Sequence, residues 1–165
     1  MYRIPRNDNK GKHVSSETRK DWLEELRTKQ QHFRVYSICG ELSSIEFIKD
    51  IFDNSDYERL CDGYEVIFGP ELDTEQIRTN LKPYLENPKL KVYSYPDRPE
   101  SHGIKVNDRL LCEEMHKKGT RYQFATIIEK AERSAQDNFM SYFDRIKLGS
   151  ERKTIENIDL VPTIR

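Results

Sequence analysis

The sequence predicts an α/β fold, in which a β-α-β-α-β core is followed by a strand hairpin, a further strand and a long C-terminal helix. Runs rich in β-branched and aromatic residues end at glycine or proline and alternate with apolar runs at helical spacing. Later in the chain, two residues that favour tight turns separate a pair of strand-like runs. Short connections of this kind favour a parallel sheet with right-handed crossovers.

An accessory helix is expected before this core. It starts near Ser15 or Ser16, either of which is a good N-cap, and Trp22, Leu23 and Leu26 form one apolar stripe along it. The stripe is short, so the helix is expected to lie against the core as an accessory element.

Three strands and two helices make up the core. The strands are expected over 33–39, 64–68 and 90–95, where β-branched and aromatic residues are concentrated. A capping-box pattern from Ser43 to Glu46 starts the first helix between them.

The second core helix is capped by Asp73 or Thr74. Pro83 falls inside its apolar pattern, so a kink or an early end is expected there. The stretch 54–62 between the first helix and the second strand is expected to be a polar join with at most a short further turn.

The hairpin is predicted from the runs 103–106 and 109–113, which flank Asn107 and Asp108. A further strand is expected over 121–127, where apolar and aromatic residues return.

The long C-terminal helix follows from apolar residues at helical spacing over 128–146, and Gly149 ends it. The chain has 165 residues, which suits a single domain. We expect that domain over 15–149, between a flexible arm over 1–14 and a tail over 150–165 whose apolar residues would cover a sheet edge or meet a partner.

Charge and hydropathy exclude several classes of protein. The 28 basic and 29 acidic residues nearly cancel, so no global charge attracts nucleic acid or a membrane, and any anion site must be local. No apolar run approaches the roughly 20 residues of a membrane span, and the N-terminus lacks the apolar stretch of a signal peptide.

The three cysteines, Cys39, Cys61 and Cys112, form no CxxC pair, so a structural zinc site is not predicted. An odd number of widely spaced cysteines, two of them in strand-like runs, favours reduced thiols and a reducing compartment. The prediction is therefore a cytoplasmic protein without a cofactor.

The first candidate site is the loop in which Gly40 ends a strand and Ser43 and Ser44 precede a helix. A helix N-terminus presents N–H groups and a partial positive charge, so these three residues are expected to bind an anion. The alternative is an ordinary capped helix, and the chain carries neither a P-loop nor a GxGxxG motif.

The second candidate site is His102 with Lys105. Residues two apart share a strand face, so His102 and Ile104 should point one way and Lys105 the other. A histidine that attacks phosphorus needs a cation on its own face, and a bulge near Gly103 would bring Lys105 there. The alternative is a hydrogen-bonded histidine at a strand start beside a solvated lysine.

Glu113, Glu114 and His116 are a third cluster with potential metal ligands. Adjacent glutamates on a strand point to opposite sides, so their carboxylates would not converge. No metal site is predicted.

Several short segments of the sequence resemble those of a known family. They are VYSICGEL (35–42), VIFGP (66–70), VYSYP (92–96), which leads into His102, and YFDR (142–145). These segments, together with the order of secondary-structure elements over 32–148, make the chain similar to the phospholipase D superfamily. The resemblance implies that family's fold, including its pairing of two motif copies in one chain or in a homodimer.

Active members of that family carry the motif His, any residue, Lys, four residues, Asp, and the histidine forms a covalent phosphohistidine. The resemblance implies catalytic roles for His102, Lys105 and Asp108. Lys105 is one place late and Asp108 one place early, because Ile104 and Arg109 occupy the family's lysine and aspartate positions.

Gly119 and Thr120 echo the family's later Gly-Ser pair, which makes Thr120 a ligand-binding residue by resemblance. Tyr122 stands where the family has an asparagine. These departures make the chain similar to degenerate members, which keep the fold and lose the motif.

The leading hypothesis is a non-catalytic phospholipase D-like domain that binds a ligand, nucleic acid or a partner in a regulatory role. It predicts a homodimer and a phosphate-containing ligand or nucleic acid. One alternative is a diverged homodimeric phosphodiesterase or nuclease with His102 as nucleophile. The other is a structural or interaction protein that docks through its C-terminal tail.

Overall fold

The structure is a computed structural model that describes residues 2–5, 14–39, 42–113 and 124–159. Its elements in chain order are β1 (Tyr2–Pro5), α1 (Val14–Thr28), β2 (Phe33–Cys39), α2 (Leu42–Phe52), α3 (Ser55–Leu60), β3 (Cys61–Phe68), α4 (Thr74–Leu81), a 3₁₀ turn (Lys82–Tyr84), β4 (Leu90–Ser94), β5 (His102–Val106), β6 (Arg109–Glu113), β7 (Phe124–Ile128), α5 (Arg133–Leu148), β8 (Glu151–Lys153) and α6 (Ile155–Ile158).

The described strands form one mixed sheet of eight strands in the order β1-β7-β6-β5-β2-β3-β4-β8. β2, β3 and β4 are parallel, and every other neighbouring pair is antiparallel. The predicted α/β fold, with its β-α-β-α-β core, hairpin, further strand and long C-terminal helix, is confirmed.

Helices cover both faces of the sheet, because strand side chains alternate between them. On one face, Val35 and Val66 belong to the main core with the α1 stripe and the apolar residues of α2 and α4. On the other face, Ile38 and Ile67 pack against Phe143 of α5. The sheet is thus the middle of three layers.

The local signals act as expected at two positions. Asp73 caps α4 with a reciprocal capping box to Gln76, and the helix ends at Leu81, where Pro83 lies in the following 3₁₀ turn. Asn107 adopts a positive φ of 54° in the hairpin turn, a conformation that asparagine tolerates better than most residues.

The region 54–62 contains more structure than a polar join. Asn54 caps the short helix α3 by accepting hydrogen bonds from the backbone N–H groups of Asp56 and Tyr57. At the start of α2 the structure also differs from the expectation, because the helix begins at Leu42 and Ser43 lies inside it.

Both ends of the chain contribute to the sheet. Tyr2–Pro5 pairs with β7, although a flexible arm was expected there, and Glu151–Lys153 of the expected tail pairs with β4. Such short edge strands are held by backbone hydrogen bonds, which leave little pattern in the sequence. Ile158 of α6 is 1% exposed and packs in the main core. Within the described residues, no helix combines the length and apolarity that crossing a bilayer requires.

We predict that Ile158→Ala lowers the free energy of unfolding by about 2–5 kcal/mol, because it leaves a cavity in the main core. Leu148→Ala is the matched control: Leu148 is 89% exposed, so this change should stay within about 0.5 kcal/mol. Urea denaturation measures both. Equal effects of the two substitutions would contradict the placement of α6 in the core.

Candidate functional site

The orientation of β5 determines which candidate residues can meet. β5 pairs with β2 on one edge and β6 on the other, in continuous register from His102↔Glu113 to Val106↔Arg109. No bulge interrupts this register, so the side chains alternate. His102 and Ile104 face the α1 and α2 layer, and Lys105 faces the α5 layer.

Lys105 lies among aromatic side chains on the α5 side. Its Nζ is 5.9 Å from the centre of the Tyr36 ring, which itself meets Phe143 edge-on at 5.3 Å. Burial lowers the pKa of Lys105, and the nearby carboxylates of Asp108 and Asp137 oppose that shift. Lys105 therefore belongs to a packed aromatic cluster on the opposite face from His102.

Asp108 lies in the hairpin turn, where its carbonyl oxygen accepts a hydrogen bond from the Ala131 N–H at 2.7 Å. Its carboxylate acts electrostatically on Lys105. The structure thus brings Lys105 and Asp108 together and leaves His102 on the other side of the sheet.

The residues at the two positions where the resemblance would place the motif lysine and aspartate have structural roles. Ile104 is 3% exposed and packs in the main core. The Arg109 side chain is 10% exposed, and its Nη2 lies 3.0 Å from Oε2 of Glu25 on α1. These residues hold the hairpin against the core and against α1.

His102 lines a cavity of about 20 Å³ with three other polar side chains, Arg19, Ser37 and Ser44. Nε2 of His102 is buried. Ser37, near the end of β2, is 2% exposed, and Ser44, in the first turn of α2, is 5% exposed. Cys39, Gly103, Ile104 and Leu111 are among the remaining wall residues.

Arg19 and Ser37 line this cavity, and neither was predicted as a site residue from the sequence. Arg19 is 5% exposed, and its guanidinium lies 5.3 Å from the Phe47 ring centre while Nη2 donates to Oγ of Ser16 at 3.1 Å. Its buried Nε makes no hydrogen bond to any described residue. One signal was available: Arg19 lies three residues before Trp22, in line with the apolar stripe of α1.

The expected anion-binding residues are only partly described. Ser44 lies in the first turn of α2 and contributes to the cavity wall. Ser43 is placed in the same turn by its backbone. Gly40 and Thr120 lie outside the described residues, as do Glu114 and His116. Among the residues that are described, no group of three or more potential ligands could hold a metal ion.

Gly103 allows a close approach of α5 to the sheet. A Cβ at this position would lie 3.0 Å from Cε2 of Phe139 and 3.3 Å from the Leu111 carbonyl oxygen. The glycine therefore makes room for an aromatic ring, and the strand stays regular.

Comparison with known proteins rests on structure. No protein-family model matches the chain, and no curated protein matches its sequence. TrmBL2, an archaeal chromatin protein with a novel mode of DNA binding, shares the fold with a TM-score of 0.63 and 14% identity over 83% of this chain. The chain spans 49% of the length of TrmBL2.

Two further structures share the fold. Nuc from Salmonella typhimurium, a phospholipase D family member, matches with a TM-score of 0.58 and 10% identity over 93% of this chain and 98% of its own. Polyphosphate kinase from Porphyromonas gingivalis matches with a TM-score of 0.53 and 8% identity over 88% of this chain and 23% of its own. At such identities the likeness concerns the fold alone, and the fold of this chain is phospholipase D-like α/β.

Proposed function

We propose that this chain is a non-catalytic phospholipase D-like domain that binds a phosphate-containing ligand in a regulatory role. The observation that carries the proposal is the position of Lys105 on the opposite face of β5 from His102. The cation that the family's phosphohistidine chemistry requires is thereby separated from the histidine.

The residues at the motif positions support the same proposal. A lysine at position 104 would place an ammonium group in the main core, where Ile104 packs now. Arg109 is paired with Glu25 and supplies no carboxylate. Two of the three motif functions have thus been replaced by packing and by an ion pair to α1.

A second candidate function is a diverged phosphodiesterase in which Arg19 replaces the motif lysine. The placement of Arg19 and His102 around one cavity favours it. Transfer at phosphorus, however, needs entering and leaving groups on opposite sides of the phosphoryl group. A cavity of about 20 Å³ gives a diester no room for that arrangement, so binding is the better-supported function.

The TrmBL2 likeness supports a binding role, since that protein binds DNA and shares this fold.

The proposal includes a homodimer, as the family resemblance implies, and a cytoplasmic location. Cys61 and Cys112 are free thiols, and burial raises the pKa of Cys61 to about 11, which makes that thiol a poor nucleophile. Docking through the C-terminal tail is less well supported because Ile158 is used inside the core.

We predict that the purified protein does not hydrolyse bis-p-nitrophenyl phosphate above the buffer rate, because the small cavity shared by His102 and Arg19 leaves a diester no room for in-line displacement. His102→Ala should leave that rate unchanged. A rate above buffer that disappears in His102→Ala would establish the phosphodiesterase instead.

We also predict that Ile104→Lys lowers the free energy of unfolding by at least about 3 kcal/mol, because it introduces an unpaired ammonium group into the core. Leu148→Lys makes the same kind of change at an exposed position and should cost under about 0.5 kcal/mol. Denaturant titration compares the two variants. An unchanged stability for Ile104→Lys would mean that position 104 still accommodates the family's lysine.

A further inference from the structure

We infer that the cavity beside His102 binds the terminal phosphoryl group of a ligand and that Arg19 is its principal cation. This inference rests on the proposed function and adds to it the class of ligand and the residue that recognises it. The site consists of Arg19, Ser37 and Ser44, with His102 on its wall.

Arg19 is buried in the structure. A guanidinium group taken out of water is costly unless a charged or hydrogen-bonding partner compensates it. Among the described residues, Arg19 donates to the Ser16 hydroxyl and stacks over Phe47, and it makes no ion pair. Its Nε is buried and has no hydrogen-bond acceptor within the described part of the chain. An oxyanion in the cavity would supply that acceptor and the missing negative charge.

Two carboxylates near Arg19 do not fill this role. Glu46 and Asp50 line a separate small cavity on another side of Arg19. Neither forms an ion pair with Arg19 among the described residues. Burial raises the pKa of Asp50, while the charges of Lys20 and Arg19 oppose that shift. The guanidinium therefore keeps the capacity to bind an anion on the His102 side.

The start of α2 contributes the second group of donors. This helix has eleven residues and no acidic residue in its first turn, so no described side chain of that turn neutralises its partial positive end. Ser44, buried in that turn, and Ser37 on β2 bring two hydroxyl groups to the same cavity. Phosphoryl oxygens accept hydrogen bonds from all of these groups.

The size of the cavity selects the kind of phosphate. Its volume of about 20 Å³ is slightly above the roughly 10–15 Å³ that one water needs and far below the 300–1,000 Å³ of a typical small-molecule pocket. A space of this size holds about one phosphoryl oxygen, so the phosphorus atom and the other oxygens would lie at its mouth. A phosphate monoester or inorganic phosphate therefore fits the site better than a phosphodiester, which carries a substituent on each side.

Isothermal titration calorimetry with inorganic phosphate tests the inference on the full chain. Arg19→Met should weaken phosphate binding at least about tenfold, because it removes a charge-assisted hydrogen bond in a buried site. Lys20→Met is the matched control, since it removes one positive charge from the neighbouring, exposed position of the same helix and should keep the wild-type affinity. Equal affinity of Arg19→Met and wild type, or no phosphate binding by wild type, would overturn the inference.

Thermal unfolding distinguishes an arginine that binds phosphate from one with only a structural role. Without phosphate, Arg19→Met should melt at or above the wild-type temperature, because a buried charge has been removed. With saturating phosphate, the order should reverse, since only wild type gains from binding. If Arg19→Met does not fold, Ser44→Ala should still weaken phosphate binding several-fold, and an unchanged affinity in that variant would overturn the inference.

Phenyl phosphate and dimethyl phosphate distinguish the sources of the phosphoryl group. Tighter binding of phenyl phosphate than of inorganic phosphate would identify the end group of an organic phosphate, and the reverse order would identify free phosphate. Dimethyl phosphate should not bind, and equal binding of this diester would refute the terminal-group assignment. A His102-dependent hydrolysis of bis-p-nitrophenyl phosphate would refute the proposed function separately, whatever the affinity for phosphate.

Discussion

The alternation of side chains along β5 is the constraint on which the site depends. β5 is hydrogen-bonded on both edges, to β2 and β6, so it cannot rotate to expose another face. Because the strand period is two, a charge displaced by a single residue changes sides. Lys105 therefore joins the aromatic cluster under α5, and the core receives Ile104, while His102 keeps its orientation toward α1 and α2.

This orientation makes α1 part of the site. The apolar stripe of α1 packs in the main core, and the ion pair between Glu25 and Arg109 ties the helix to the hairpin. Arg19 extends the stripe by one turn, so the same packing that buries Trp22 carries a guanidinium group into the layer that His102 faces. Packing and the proposed anion recognition thus depend on the same helix.

The main elements were predictable because their patterns are local: strand alternation, the Asn107-Asp108 turn and the Asp73 cap all lie within a few residues. β1 and β8 were not, because short edge strands depend on backbone pairing with β7 and β4. The opposed faces of His102 and Lys105 followed from the period of two. The role of Arg19 could not be predicted from spacing alone, because an arginine in line with a helical stripe usually lies at the boundary of the core with its charged end in water.

An NMR titration of the wild-type chain with inorganic phosphate tests directly whether Arg19 binds an anion beside His102. We expect saturable chemical-shift changes at the Arg19 Nε–H and the Ser44 backbone N–H, with the side-chain signals of Lys105 and Asp108 unmoved, because the Lys105 side chain lies on the other face of β5 and the Asp108 carboxylate acts on it. Changes confined to Lys105 and Asp108, or a phosphate-independent Arg19 signal, would contradict anion binding by Arg19.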